Sequence, residues 1–350
     1  GVNLQQRKED VIRLIDEKGM LTEALKQDIL KAEKLTEIED LYRPFKEKKK
    51  TRATQAKAKG LEPLAKYLLT YPEGELQTEA AKYLNEEVTS VDEALQGARD
   101  IIAEMISDEA DYRIYIRGIT MEEGKVVSTA KDEKAESVYE MYYQYEEPVK
   151  KVAGHRTLAL NRGEKEKFLV VKVEAPVERI LQFLRTKVIT NDNPVTSPVL
   201  EEVIADSYDR LIAPAIEREI RNDLTEKAED GAIEVFKKNL EQLLMQPPIV
   251  GQTVLGWDPA FRTGCKLAVV DPTGKVIGTT VIYPTAPTTP QKIKASKDLL
   301  KKIIAKYNIT LISVGNGTAS RESEMFIVEL LKEIPQKVQY VIVNEAGASV

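Results

Sequence analysis

The 350-residue chain has one cysteine, one histidine and one tryptophan. With Cys265 alone, an internal disulfide is excluded, and zinc held by Cys and His ligands is excluded by count. No apolar run approaches the roughly 20 residues that cross a bilayer, and the start lacks the basic-then-apolar pattern of a secretory leader. The expectation is therefore a cytoplasmic protein with no membrane partner. Positive charge is not in excess either: the formal net charge of −6 argues against a chain-long nucleic-acid sheath, because phosphate binding draws on clustered Lys and Arg. Neither a Gly-x-x-x-x-Gly-Lys phosphate loop nor a Gly-x-Gly-x-x-Gly dinucleotide turn occurs.

What is present is a globular composition in a chain longer than the usual single domain of roughly 100–150 residues, so two or more folding units are expected. The chain starts at Gly1 rather than Met and stops at Val350 just after an apolar run, and we expect a piece of something longer. Residues 4 to about 117 read as helix after helix, with apolar residues three and four apart (Val11-Ile12, Leu14-Ile15; Ile29-Leu30; Leu35, Ile38, Leu41-Tyr42) and breaks at Gly19, Pro44, Gly60, Pro63 and Pro72-Glu-Gly74. Ser90 reads as a helix N-cap. Between 118 and 190 we expect a helical piece around Ala135–Tyr145 and a strand at Phe168–Val173. A long amphipathic pattern follows from about Pro198 to Met245, interrupted at Pro214 and weakly at Gly231, and can be one bent helix or two to three. Gln246–Gly251 reads as a linker, which places a boundary between a helical unit, 1–246, carrying a small strand-containing insert near 165–175, and a second unit, 247–350, truncated at its C-terminal end.

Past that linker the grammar changes to strand, turn, strand, turn, strand: Val254–Trp257, Lys266–Val270 and Lys275–Tyr283, the last two joined by Asp271-Pro-Thr-Gly274. A helix opened by Thr289-Pro290, a strand at Thr310–Val314, a helix capped by Ser320 and a strand at Val338–Val343 complete the order βββαβαβ. The fold class is thus multidomain, a mainly α region followed by an α/β RNase H-like domain with a mixed sheet; the same strand order also opens actin-like ATPase folds. In an RNase H-like sheet Asp258 sits at the carboxyl end of the first strand, where ligands collect. Two-metal phosphodiester cleavage needs several converging carboxylates. At the end of the fourth strand, where a second acid belongs, stands Asn316, which brings no charge. Asp271 lies at the far end of the second strand. Glu345, beyond the last strand, is on the correct edge. No metal or other cofactor is expected, with Mg²⁺ or Mn²⁺ required only if Asp258 and Glu345 serve a nuclease or resolvase. The alternative use of this edge is phosphate cradling by the polar loops Arg262-Thr-Gly264 and Gly315-Asn-Gly-Thr318.

One stretch is strongly basic: residues 43–59, with eight Lys or Arg against Glu47. Lys48, Lys49, Lys50, Arg52 and Lys57 there, together with Arg262, are the candidates for phosphate contacts. A solvated face, or docking onto an acidic partner, is the competing reading. Tyr139, Tyr142, Tyr143 and Tyr145 can stack on bases, but their spacing equally suits packing, which we favour. His155 lacks a Cys or His partner and reads as structural or surface, and Cys265 as a small buried residue.

Five stretches, residues 41–65 (LYRPFKEKKKTRATQAKAKGLEPLA), 209–222 (DRLIAPAIEREIRN), 256–266 (GWDPAFRTGCK), 315–322 (GNGTASRE) and 345–349 (EAGAS), are similar to the bacterial Tex family, RNA-binding transcriptional accessory factors. The resemblance implies a Tex helical core followed by a YqgF-type RNase H-like domain related to Holliday-junction resolvases and generally nuclease-deficient. It also implies helix-hairpin-helix elements and an S1 domain beyond these residues, the S1 domain being the part expected to bind RNA. The expected partners are RNA or single-stranded nucleic acid, mainly through those modules, with the transcription or translation machinery as a further possibility. Where the related motif usually has Gly after Asp-Pro, this sequence has Ala260, which disfavours close approach of a phosphate to that turn.

Overall fold

The computed structural model describes residues 3–244, 251–260, 264–285, 288–317 and 319–343. They divide into two compact units, Gly1–Val152 with Ala159–Leu224 and Ala153–Leu158 with Thr225–Val350.

The first unit opens with helices α1 (Leu4–Glu17), α2 (Glu23–Lys31) and α3 (Leu35–Tyr42). The three-and-four spacing read from the sequence buries Val11, Ile15, Ile29 and Ile38 together as one small core. Helices α4 (Arg52–Ala58), α5 (Glu62–Leu68), α6 (Leu76–Ala80), α7 (Val91–Asp108) and α8 (Ala110–Glu123) build the larger core. Ser90 caps α7 as its sequence position suggests, its hydroxyl accepting from the Glu93 amide at 3.1 Å. Strands β1 (Lys125–Ala130) and β2 (Gln144–Pro148), then α9 (Gly154–Lys165) and β3 (Leu169–Glu174), follow; β1 is the centre of an antiparallel sheet in the order β2-β1-β3.

This small sheet corrects the helix expected at Ala135–Tyr145. Residues 144–148 pair with β1, and only a 3-10 turn remains at Glu140–Tyr142. The tyrosines nonetheless pack as favoured: Tyr139 and Tyr142 are buried in the main core, and the Tyr143 hydroxyl donates to the Ala135 carbonyl at 2.7 Å.

Helix α10 (Val177–Val188) leads to α11 (Ser197–Asp206), a π-helical turn at Ser207–Ile212 and α12 (Ala213–Leu244). Of the one bent helix or two to three that the sequence allows, the chain takes the continuous form at Pro214. Proline lacks the N–H of an α-helical bond and its ring crowds the carbonyl four residues back; the wider π turn just ahead carries the chain past it without ending the helix. Ser207 fastens that turn to α7 by donating to the Ala103 carbonyl at 2.6 Å. The linker expected at Gln246–Gly251 lies outside the described residues except for Gly251; the chain leaves the first unit briefly for Ala153–Leu158, at the start of α9, and finally within α12, at Leu224.

In the second unit the meander β4 (Val254–Asp258), β5 (Cys265–Val270) and β6 (Val276–Ile282) is antiparallel. Strand β7 (Leu311–Gly315) pairs parallel to β4, and β8 (Gln339–Val343) parallel to β7. The order β6-β5-β4-β7-β8 is the mixed sheet of an RNase H-like domain, with crossovers through α13 (Pro290–Tyr307) and α14 (Ser320–Lys332). Alternation divides the strands between two faces: Leu255, Trp257, Leu267, Ile312 and Val314 pack with both helices, while Val254, Ala268, Val270 and Leu311 form a second cluster. Thr289 caps α13 by accepting from the Lys292 amide at 3.2 Å. The cap expected at Ser320 is displaced by one: Ser320 is already helical, and Ala319, left-handed at φ 64°, is the N-cap without a side-chain bond.

Candidate functional site

Asp258 ends the central strand β4, one step past the Trp257–Val314 pairing of β4 with β7. It is half-buried and faces Lys266 across the β4–β5 ladder. Burial pushes its carboxyl up to about 6, with the Lys266 ammonium acting against that shift. Lys266 is itself held, donating to the Glu229 carbonyl of α12 at 3.1 Å. The turn after Asp258 is fastened from two sides, the Ala260 carbonyl accepting from Thr285 Oγ1 at 3.1 Å and lying 3.5 Å from Cys265 Sγ. Cys265 is fully buried, a packing residue as its sequence context suggests.

Company for Asp258 is scarce. Asn316 is exposed just beyond β7, its backbone amide donating to the Val343 carbonyl at 2.7 Å, so that residue closes the β7–β8 edge and adds no charge. Asp271 lies at the opposite end of the strands, since Val270 pairs with Val276 and with Val254, the residue that starts β4. Its carboxylate accepts from the Thr273 and Lys275 amides and serves the β5–β6 turn. Glu345 and Arg262 lie outside the described residues. Among the described residues no group of three or more His, Cys, Asp or Glu is placed to hold a metal ion.

Packing explains Gly264 in the polar loop ahead of β5. It sits at φ +82°, and a Cβ there would come within 2.7 Å of Val281 Cγ1 and 2.9 Å of the Ile282 carbonyl oxygen. Close approach to β6 accounts for the glycine without a phosphate.

The basic stretch is built differently. Helix α4 buries Ala53 and Ala56 on the side facing α7, where Gly97 leaves room; a Cβ at Gly97 would meet Leu61 Cδ1 at 2.3 Å and Ala56 Cβ at 3.3 Å. Thr51 starts α4 with a reciprocal capping box with Thr54. The opposite face and the preceding loop hold the charge. Of the eight cations, Arg43 pairs with buried Asp40 at 3.1 Å, and Lys48 with Glu104 at 3.0 Å and Asp108 at 2.6 Å. Lys48 is thus a brace between loop and α7, its ammonium engaged by two acids. Lys49, Lys50, Arg52 and Lys57 are exposed and, among the described residues, have no ion pair; Lys46 and Lys59 share that state and join them. All of these are visible in the sequence as plain charge. Which two of eight are consumed internally depends on acids that include Glu104 and Asp108, about 50–60 positions further along the chain, which no local pattern reveals.

A second feature is invisible to sequence reasoning. Arg117 donates to both oxygens of fully buried Asp40, at 2.8 and 2.9 Å, and to Glu219 at 2.7 Å. Neighbouring Arg113 is buried, its guanidinium donating to the Ser107 carbonyl and hydroxyl, and burial lowers its pKa to about 10. The Arg117 bonds tie α3, α8 and α12 together across sequence separations of 77 and 102. His155 is exposed near the start of α9, and no helix among the described residues is long and apolar enough to cross a membrane.

Two family models match the chain: "Tex central region-like" over residues 71–236 and "Tex protein YqgF-like domain" over residues 252–350. Curated relatives match along nearly all of it. The protein YdcI of Bacillus subtilis is 54% identical over 99% of this chain and 49% of its own length. The transcriptional accessory protein Tex of Neisseria gonorrhoeae is 33% identical over 99% of this chain and 46% of its own. Human S1 RNA-binding domain-containing protein 1 is 31% identical over 97% of this chain and 36% of its own. The chain therefore spans about half the length of the bacterial relatives and about a third of the human one.

Proposed function

Because the chain belongs to the Tex protein family, we propose that it is the scaffold portion of a cytoplasmic, RNA-binding transcriptional accessory protein, and that it contributes its own phosphate contacts through the loop and helix at residues 46–59. The observation that carries this reading is the state of that stretch: Lys46, Lys49, Lys50, Arg52, Lys57 and Lys59 are exposed without ion pairs among the described residues, on and beside a helix fixed by its buried alanines. Unpaired, positioned cations exchange the counterions of a nucleic-acid backbone, and such binding is sequence-tolerant and steeply salt-dependent. The S1 name of the human relative and the accessory role in the name of the Neisseria relative support nucleic acid as the partner class.

The competing nuclease reading needs more than Asp258. Among the described residues Asp258 has no second carboxylate placed with it to hold a metal, and burial raises its proton affinity, whereas two divalent ions draw on several ionised oxygens. One titration tests both. Labelled single-stranded RNA is titrated at several salt concentrations against the protein and a Lys49→Ala/Lys50→Ala/Arg52→Ala variant, and the samples are then incubated with Mg²⁺ or Mn²⁺. The slope of log affinity against log salt is expected to fall by about 2 in the variant, near 0.7 per lost single-strand contact. An unchanged slope refutes the basic stretch as an interface. Metal-dependent cleavage that disappears in Asp258→Asn replaces the accessory reading with the nuclease one.

A further inference from the structure

The first unit contains a cleft of about 400 Å³ that the nucleic-acid reading does not use. It lies where the end of β3 meets the π-helical turn and the first turns of α12. Its floor is apolar, with Val173 and Ile216 buried, and its wall carries three carboxylates, Glu174, Asp209 and Glu217. None of the three forms an ion pair among the described residues.

A second observation is independent of the acids. Tyr208 is buried to all but 4% of its surface, lines the cleft, and its hydroxyl has no hydrogen-bond partner among the described residues. The ring is buried while the hydroxyl oxygen keeps its access to the cleft, which leaves its lone pairs available. Thr120, also in the wall, shows the contrast, donating to the Ile116 carbonyl at 2.7 Å. Burial, with Asp209 and Glu217 adding to it, pushes the phenol up to about 12, so it keeps its proton and offers its oxygen lone pairs to a donor. The π turn sets this arrangement, since a π-bulge shifts the helical phase and π turns recur at functional sites.

We propose that this cleft receives an arginine side chain from a partner protein. Three unpaired carboxylates and a phenol oxygen present acceptors, which selects for a ligand that brings donors and positive charge. Apolar Val173 and Ile216 match the three-carbon stem of the side chain, which buries readily while its head stays polar. Guanidinium fits better than ammonium at such a half-dry site, because it is more weakly hydrated and its planar fork serves two carboxylates at once. This contact is independent of the basic stretch and of the nucleic-acid reading.

The test is a calorimetric or NMR titration of the protein with three probes: the peptide acetyl-Ala-Arg-Ala-amide, its citrulline counterpart, which keeps the shape but loses the charge, and spermidine. Saturable binding of the arginine peptide in the millimolar range, where about 4 kcal/mol holds a single side chain, is expected, with none for citrulline. An Asp209→Asn/Glu217→Gln variant is expected to lose at least about tenfold in affinity, and Tyr208→Phe to weaken binding with its thermal midpoint kept. Equal binding of citrulline, or unaltered binding by a double variant that melts like the parent, overturns the proposal. Tighter binding of spermidine than of the arginine peptide also overturns it, and makes the cleft a polyamine site.

Discussion

Asp258 shows how a single buried carboxylate sets a pH-dependent cost. Its carboxyl rises from the ordinary 3.8 to about 6 in the folded protein because burial disfavours the charge more than Lys266 favours it. Between those two values the folded state binds more protons than the unfolded state, so stability falls as pH rises through that window, and above about pH 6 the whole penalty is in place. A rise of that size corresponds to about 3 kcal/mol. Asp258→Asn keeps the shape and removes the ionisation, so the variant is expected to be more stable than the parent at pH 8, by up to about 3 kcal/mol, and equal to it below pH 4. Urea unfolding followed by Trp257 fluorescence at the two pH values measures this. A variant less stable than the parent at pH 8 would show that the Lys266 attraction, or a partner for the charge, outweighs burial.

At the scale of elements, the basic loop depends on a brace. Lys48 neutralises Glu104 and Asp108 on α7, and burial already raises the proton affinity of Asp108 against the pull of Lys48. Lys48→Ala leaves two like charges adjacent on a half-buried helix face. A loss of about 2 kcal/mol is expected at pH 8 and a smaller one at pH 4, because protonating Asp108, whose proton affinity burial raises, removes the repulsion; denaturation at the two pH values reads the difference. The salt slope of RNA binding is expected to stay put in that variant, in contrast to the Lys49, Lys50 and Arg52 substitutions. Elements like α4 are legible in sequence because their alanines and capping threonine act locally. The strands 254–258, 265–270 and 276–282 are legible for the same reason, their turn at Asp271-Pro-Thr-Gly274 closing through the Asp271 carboxylate. Where legibility fails, the cause is long-range. Residues 144–148 are a strand because β1 pairs with them, and their tyrosine spacing imitates a helix. β1 itself, KVVSTA between two stretches that read as helical, has too short an alternation to stand out. In the candidate site, strand order alone places Asp258 and Asn316, whereas the loss of Lys48 to Glu104 and Asp108, and the cleft beside Tyr208, arise from packing between segments far apart in the chain.

At the scale of the whole molecule, the cores are separate. The helical unit packs around Ile101, Leu169 and Ile204, the sheet unit around Trp257, Ile312 and Ile327, and among the described residues no buried cluster has members in both. A chain with distinct cores is expected to unfold in distinct steps, and its one tryptophan is the probe, since Trp257 is fully buried in the sheet unit. Tryptophan fluorescence therefore reports on that unit alone, while far-ultraviolet dichroism is dominated by the helices of the other. Gly264→Ala is the selective perturbation. It forces a side chain into a left-handed position and against the Ile282 carbonyl, at an expected cost of about 2–3 kcal/mol. The fluorescence transition of this variant should move to lower urea while the main dichroism transition stays where it is in the parent. Both transitions moving together by the same amount would show that α12, which runs from Ala213 to Leu244 through both units, couples them into one cooperative block.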